Sequence, residues 1–348
     1  MKQAVLLLAH GAPQRVEDVP EYLSFVRSGR PVSSQLVEEI SHRYAAIGGA
    51  SPLCHWTQAQ AEALEKRLGI PVFYGMRNWH PFIRETMDRI RDSGAERLAA
   101  ICLAPQYSKM SVGFYFRRTQ EAKVDAGAAV EIVWAKSYHD SPLLIEAFAE
   151  KVAFAEKVAF AEEVAFVEKV AFAEKAAFAE KAAFAEKPRP MPAGRKVLFT
   201  AHSLPEKALA EGDPYERECR ATAALVAAAA GLADWDFAFQ SQGMTEDRWL
   251  GPTVESTLDR YAAEGIRDVV LHPIGFVCDH VEVLFDVEIL FKAYAAERGI
   301  ALQRPESLNG SAKYTEALAD VAQRALSGGG AMPCAAENQR SLEGRAKS

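Results

Sequence analysis

One phrase occurs twice in this chain, far apart. Val5-Leu6-Leu7-Leu8-Ala9-His10-Gly11-Ala12-Pro13 returns as Val197-Leu198-Phe199-Thr200-Ala201-His202-Ser203-Leu204-Pro205, and both copies read V-L-x-x-A-H-x-x-P. In each, an apolar run of strand length stops at a histidine that leads into a turn closed by proline, which places the imidazole at a strand's carboxyl end. In open parallel α/β sheets that edge is where ligands bind. A chain built this way is expected to fold as two similar α/β halves, offering His10 and His202 to a shared cleft.

The rest of the chain keeps the same rhythm. Apolar runs at 4–9, 71–75, 97–103 and 130–135 predict strands, with helical patterns at 20–28, 34–46, 57–68 and 81–93 among them. The second half follows with strands at 196–201, 236–240 and 268–273 and helices at 214–230 and 253–264. Such alternation predicts parallel sheets with helices on both faces. Gly94-Ala95-Glu96-Arg97-Leu98 and Gly265-Ile266-Arg267-Asp268-Val269 each introduce a strand ending near Pro105 or Pro273, as an ancient duplication would leave it. The expected organisation is a first half over 1–141, a helical insertion and linker over 142–190, a second half over 191–326 and a disordered tail over 327–348.

The insertion is a hexapeptide repeat. Phe148, Phe154, Phe160, Phe166, Phe172, Phe178 and Phe184 recur every six residues among Ala, Glu and Lys, a helix-favouring composition. A six-residue step turns each ring by about 240°, so the aromatics visit three faces and no single core can bury them all. The segment reads as an extension of a helix starting at Pro142, a spur of roughly 40 residues reaching on the order of 60 Å, until Pro188-Arg189-Pro190 stops it. The functional alternative is an arm for oligomerisation or for a membrane surface, since exposed phenylalanines call for a partner.

Composition narrows the function classes. The chain has 348 residues, enough for two domains with cores of their own, and its net charge of −7 disfavours a nucleic-acid footprint. No apolar run reaches the roughly 20 residues that span a bilayer, and Met1-Lys2-Gln3-Ala4 passes straight into a strand where a signal peptide would need an apolar core, so a cytoplasmic protein is expected. Cys54, Cys102, Cys219, Cys278 and Cys334 are scattered without a CxxC, which points to reduced core thiols and not to a zinc or iron–sulfur centre.

A second informative stretch runs Pro273-Ile274-Gly275-Phe276-Val277-Cys278-Asp279-His280-Val281-Glu282-Val283-Leu284-Phe285-Asp286. Asp279 and Glu282 have the spacing of a capping box, a purely structural role. Alternatively Glu282 and Asp286, at i and i+4 on one helical face, form a carboxylate track leading to His202. An imidazole with one or two carboxylates suits transient holding of a borderline divalent metal such as Fe2+.

At these residues the chain resembles the ferrochelatase family. The resemblance rests on the His202 phrase, on the run from Gly275 to Asp286, on Trp249-Leu250-Gly251-Pro252, on the segment from Arg43 through Ser51 to Leu53, and on Ala104-Pro105-Gln106-Tyr107-Ser108, in the same order from about Val5 to Leu326. It implies two chelatase halves, each a four-stranded parallel sheet flanked by helices, with a porphyrin cleft between them. It also implies insertion of Fe2+ into a porphyrin with release of two protons. His202 and Glu282 would handle metal and protons on one face of the ring, with Asp286 beyond them as a relay. A neutral imidazole, with an ordinary pKa near 6.5, suits that task. Arg27, Arg43, Tyr44, Ser51 and Tyr115 fall on positions that line the porphyrin and its propionates in the family, and a guanidinium fork suits a carboxylate on chemical grounds alone.

The chain departs from the family in places. His10 stands where Gram-positive-type enzymes carry a tyrosine that can ligate product iron; histidine is itself an able haem ligand. Leu290 stands where the family often continues its acidic track, and Glu288 lies about 200° round an α-helix from Asp286, unable to substitute. The tail offers one cysteine, Cys334, so no iron–sulfur cluster and no permanently bound cofactor are expected. The segment from Gln240 to Trp249 resembles the coproporphyrin-using branch, which favours coproporphyrin III with protoporphyrin IX close behind. Expected partners are porphyrin, haem product and, transiently, neighbouring haem-pathway enzymes. Three other readings remain open at this stage: a cobalt or nickel chelatase for a sirohydrochlorin-like ring, a haem carrier without turnover, and an unrelated periplasmic-binding-like α/β protein.

Overall fold

The computed structural model describes residues 1–153, 195–242 and 247–328. The repeat from Phe154 onward, residues 243–246 and the tail with Cys334 lie outside the described residues. The described chain forms two four-stranded sheets, parallel throughout. The first is ordered β2-β1-β3-β4, from Gln3–Ala9 (β1), Val72–Met76 (β2), Arg97–Cys102 (β3) and Glu131–Ala135 (β4). The second is ordered β6-β5-β7-β8, from Arg195–His202 (β5), Trp235–Gln240 (β6), Asp268–Pro273 (β7) and Ala301–Gln303 (β8).

The repeated phrase supplies β1 and β5, which hold the same place in their sheets, paired on both sides and covered on both faces. That explains their composition: Val5 to Leu8, Val197 to Phe199 and Thr200 have no exposed surface, and a strand buried on both faces reads as an unbroken apolar run.

Helices flank the sheets. In the first half these are Val19–Val26 (α1), Ser34–Ala46 (α2), Leu53–Leu68 (α3), Ile83–Ser93 (α4) and Val112–Asp125 (α5). Serine begins α2, where the Ser33 hydroxyl accepts from Leu36 N–H, and Gly69 in a left-handed conformation ends α3. A helix over 142–153 (α6) follows. The second half has Lys207–Ala210 (α7), Tyr215–Ala230 (α8), Val254–Ala263 (α9), Val281–Leu284 (α10), Lys292–Ala296 (α11) and Ala312–Leu326 (α12), with a π-helical turn over Asp286–Phe291 between α10 and α11. The wide turn is carried by Leu290 N–H donating to Phe285 O at 3.0 Å.

Two helices cross over. α6 lies against the second sheet, its Phe148 ring edge-on to His272 of β7 at 5.4 Å, while α12 packs on α3 and β3 of the first half. One continuous core results, running from Val5, Leu7 and Ile101 through Phe148 and Leu318 to Phe199 and Val270. Buried polar ties fasten the same junction: Gln106 Nε2 donates to Thr222 Oγ1 at 3.1 Å, and Tyr138 and Tyr314 share a hydrogen bond of 3.1 Å.

The short β8, α5 and α12 are additions to the elements read from local pattern. β8 has three residues and no alternation to detect.

Candidate active site

His202 is the last residue of β5, and His10 follows directly on β1. Both strand ends are gripped by glycine. Gly11 has φ +84°, and a Cβ there would lie 2.8 Å from the Trp79 backbone nitrogen; at Gly275 a Cβ would lie 2.7 Å from Ala201 Cβ. These close approaches bring a turn from each half against the strand that carries its histidine. A cavity of about 320 Å3 opens between the strand ends, with His10, Tyr22 and Arg77 on one wall and His202, His280 and Glu282 on the other.

On the second-half wall the Glu282 carboxylate sits between two imidazoles. His202 Nε2 is 3.3 Å from its Oε1 and His280 Nε2 is 3.4 Å from its Oε2. The outer nitrogens are engaged too: His202 Nδ1 meets Ser203 O, and His280 Nδ1 meets Cys278 O at 3.0 Å. Burial disfavours charge on the His202 ring, but the Glu282 charge and hydrogen bond, with the Ser203 carbonyl, outweigh it and raise the ring's pKa above the usual value. Burial alone would raise Glu282; the charge and hydrogen bond of His202, with His280, hold it well below the carboxylate range instead. Among the described residues no set of three or more His, Cys, Asp or Glu side chains is arranged to hold a metal ion. An imidazole and a carboxylate side by side offer a passing cation two donors.

A second layer fixes this pair. Tyr215 Oη donates to His202 O at 3.0 Å, and Gln240 Nε2 donates to Glu282 O at 3.0 Å while its own Oε1 accepts from Thr200 Oγ1 at 2.6 Å. The capping box expected of Asp279 and Glu282 does not form. The helix N-cap is His280, without a side-chain cap bond. Asp279 instead accepts from Arg304 Nη1 at 3.0 Å, Ser307 Oγ at 2.7 Å and Asn309 Nδ2 at 2.9 Å, a buried cage that leaves Glu282 free for the histidines.

Asp286 lies one turn beyond Glu282 but opens on an adjoining hollow of about 410 Å3, shared with Arg43, Gln240 and Ser241. Ser241 Oγ donates to its Oδ2 at 2.5 Å and Arg43 Nη1 stands 3.7 Å from Oδ1. Burial, reinforced by the Glu282 charge against the pull of Ser241 and Arg43, raises the Asp286 pKa. Leu290 lines the same hollow. Glu288, as expected, does not reach it: Arg304 Nε holds it at 2.6 Å, and Lys292 takes it from the other side.

The first-half wall is cationic and aromatic. Tyr44, Ser51 and Tyr115 line the cavity with His10. Arg43 does not; it grips Glu39 at 2.6 Å and stacks over Phe285. Arg27 does not line it either, and its buried Nε has no hydrogen-bond partner among the described residues. Arg77 lies over the Tyr115 ring at 5.3 Å and pairs with no carboxylate among the described residues. Burial, helped by the Arg77 charge, pushes the His10 pKa down to about 4.

Sequence reasoning assigned no role to His280 or Arg77. The rule that picked out His10 applies equally to Arg77, the first residue past β2, and His280 stands two residues before Glu282 in a stretch already singled out.

The comparisons agree with this geometry. The family model described as Ferrochelatase matches residues 2–326. A Ferrochelatase of Acidobacterium capsulatum is 43% identical over 340 residues, covering 93% of this chain and 95% of the relative. A Coproporphyrin III ferrochelatase of Halalkalibacterium halodurans is 33% identical over 334 residues, covering 93% and 97%. Among solved structures, the cobalt-bound sirohydrochlorin chelatase SirB of Bacillus subtilis subspecies spizizenii matches with a TM-score of 0.55 at 11% identity, covering 94% of this chain and 96% of that one; at that identity it speaks for the fold alone. With two parallel four-stranded sheets meeting at a histidine-lined cleft and a family match from end to end of the described chain, this protein belongs to the ferrochelatase family of enzymes.

Proposed function

We propose that this chain inserts Fe2+ into coproporphyrin III, releasing two protons per ring. The observation that carries the reading is the His202–Glu282 pair at 3.3 Å on one wall of the cleft, its two members shifted in opposite directions. A planar macrocycle between the walls would present its pyrrole N–H groups to His202. Neutral His202 takes a proton through Nε2, and the adjacent anionic Glu282 stabilises the imidazolium that forms. Glu282 and His202 also guide Fe2+, the substrate, to the ring nitrogens. Asp286, with its raised pKa and its opening on the adjoining hollow, passes protons outward.

On the opposite face His10 stays neutral near pH 7 and supplies an axial nitrogen to product iron. Tyr44, Ser51 and Tyr115 seat the ring, with Arg27 and Arg43 reaching propionates at its rim. The preference for coproporphyrin III is supported by the sequence around Gln240 to Trp249 and by relatives of that name at 31–34% identity, among others named only Ferrochelatase. The enzyme needs no resident cofactor in this scheme, works in the cytoplasm, and passes its iron porphyrin on by transient contact with the next enzyme.

Anaerobic Fe2+ insertion into coproporphyrin III and protoporphyrin IX tests both parts. His202→Ala and Glu282→Gln are expected to lose about 10²- to 10⁴-fold in turnover. Near-normal turnover in a folded His202→Ala protein refutes the acceptor assignment. A kcat/KM for protoporphyrin IX that equals or exceeds that for coproporphyrin III refutes the substrate choice.

A further inference from the structure

One carboxylate of the second half is held almost entirely by the first. Glu218 of α8 is 8% exposed, and its Oε2 accepts from Tyr107 N–H at 2.7 Å and from Ser137 Oγ at 2.7 Å, with His139 Nδ1 at 3.5 Å. Tyr107 follows β3, and Ser137 and His139 follow β4, so all three stand at the carboxyl edge of the first sheet, where the cleft opens. A carboxylate taken out of water is costly unless donors meet it, and here the donors come from across the junction. An apolar side chain at this place could pack in several registers. Two directed hydrogen bonds on one oxygen allow a single one.

Glu218 stands three residues after Tyr215, on the same face of α8. Tyr215 lines the cavity and donates from Oη to His202 O at 3.0 Å, while Gln106, beside Tyr107, lines the cavity from the first half. One turn of α8 thus spans from a first-half loop to the backbone of the proton acceptor on the far wall. Asp213, just ahead of the helix, makes a second tie, its Oδ2 accepting from Ser108 Oγ at 2.9 Å and Lys109 N–H at 2.7 Å. We infer that Glu218 is a positioning residue that sets the spacing of His202 from the first-half wall, acting through α8 and Tyr215 from outside the cavity lining. With Glu218 cut, α8 keeps only the Asp213 tie at that end, and the walls part. This rests on the reading above that His202 accepts the pyrrole proton.

The test uses the full-length protein, Fe2+ and coproporphyrin III under anaerobic conditions, with kcat and KM expressed per folded molecule. Glu218→Ala is compared with Glu218→Gln, whose side-chain carbonyl can still accept from Tyr107 and Ser137, and with Val226→Ala, which opens a cavity on the buried face of the same helix and leaves the tie intact. Faster amide exchange at Tyr107 in Glu218→Ala reports that the tie is cut. A displacement of His202 by a fraction of an ångström is expected to lower kcat by about tenfold, and KM for the porphyrin rises as the walls part. Restoration of both constants by Glu218→Gln, with wild-type constants in Val226→Ala despite its lower Tm, supports the inference, because a purely structural role would track Tm alone. Where Glu218→Ala fails to fold, Ser137→Ala removes one donor to the same oxygen and is expected to move both constants the same way by a smaller factor; wild-type constants there refute the inference. If His202→Ala is inactive but folded Glu218→Ala keeps wild-type constants, or if Glu218→Gln restores neither, the positioning role is refuted while the acceptor reading stands. Near-normal turnover in His202→Ala refutes the acceptor reading itself.

Discussion

Gly275 is the position where a single methyl group should do most damage to this site. It lies just past β7 in the turn that crosses the end of β5, and its main-chain N–H donates to Thr200 O at 3.1 Å. A Cβ at Gly275 would stand 2.7 Å from Ala201 Cβ and 2.8 Å from Ala201 Cα. Ordinary contact begins at 3.4 Å, so the turn and the strand end must part by about 0.7 Å, and overpacking of that kind costs about 1–3 kcal/mol. The next residue on the displaced strand is His202. A shift of most of an ångström in an acceptor group lowers turnover by about 10- to 100-fold. Gly275→Ala should therefore lower the Tm by a few degrees and kcat by more than that loss of stability explains, while secondary structure is retained. Adding Ala201→Gly removes the Cβ contact but leaves the one to Cα, so rescue should be partial. Gly113→Ala, whose nearest neighbour would be a tolerable 3.4 Å away, serves as the neutral control. Wild-type Tm and turnover in Gly275→Ala would refute the reasoning, and full rescue by Ala201→Gly would refute the part assigned to the backbone.

The electrostatics make two further predictions. His202 accepts a proton only when neutral, so turnover declines as pH falls through its raised pKa; in Glu282→Gln burial dominates, the ring's pKa drops, and the acid limb of the residual activity moves to lower pH. A limb that stays in place refutes the assignment of that limb to His202. His10 should titrate near pH 4 by NMR in the ligand-free protein, and Arg77→Met should move the midpoint up; a midpoint near the ordinary 6.5 refutes the burial argument.

Much of this was legible in the residues because the informative signals are local. Every strand except β8 follows from an apolar run, and the placement of His10 and His202 follows from where those runs stop. The exchange of α6 and α12 between sheets was not legible, since periodicity reports that a face is apolar but not which sheet covers it. Asp279 misled for a related reason. Its spacing from Glu282 satisfies a local motif, yet Arg304, Ser307 and Asn309, more than twenty residues on, compete for the carboxylate and win. The π turn was also hidden, because a shift from α to π bonding leaves no periodic mark within six residues. Arg43 was readable as a cation near the cleft, but its engagement by Glu39 and its place in the adjoining hollow depend on packing.

The equivalence of β1 and β5 carries a consequence for how such a pocket acquires direction. A duplicated scaffold sets down two imidazoles that are interchangeable as far as the main chain is concerned, and the surroundings of each decide its character. A carboxylate beside one makes it proton-hungry; burial, helped by a guanidinium, makes the other inert to acid over the physiological range. A flat molecule slipped between them meets a steep asymmetry of basicity across its own thickness. Reversing that asymmetry would require changing the charge and the burial around each ring, not rebuilding either sheet.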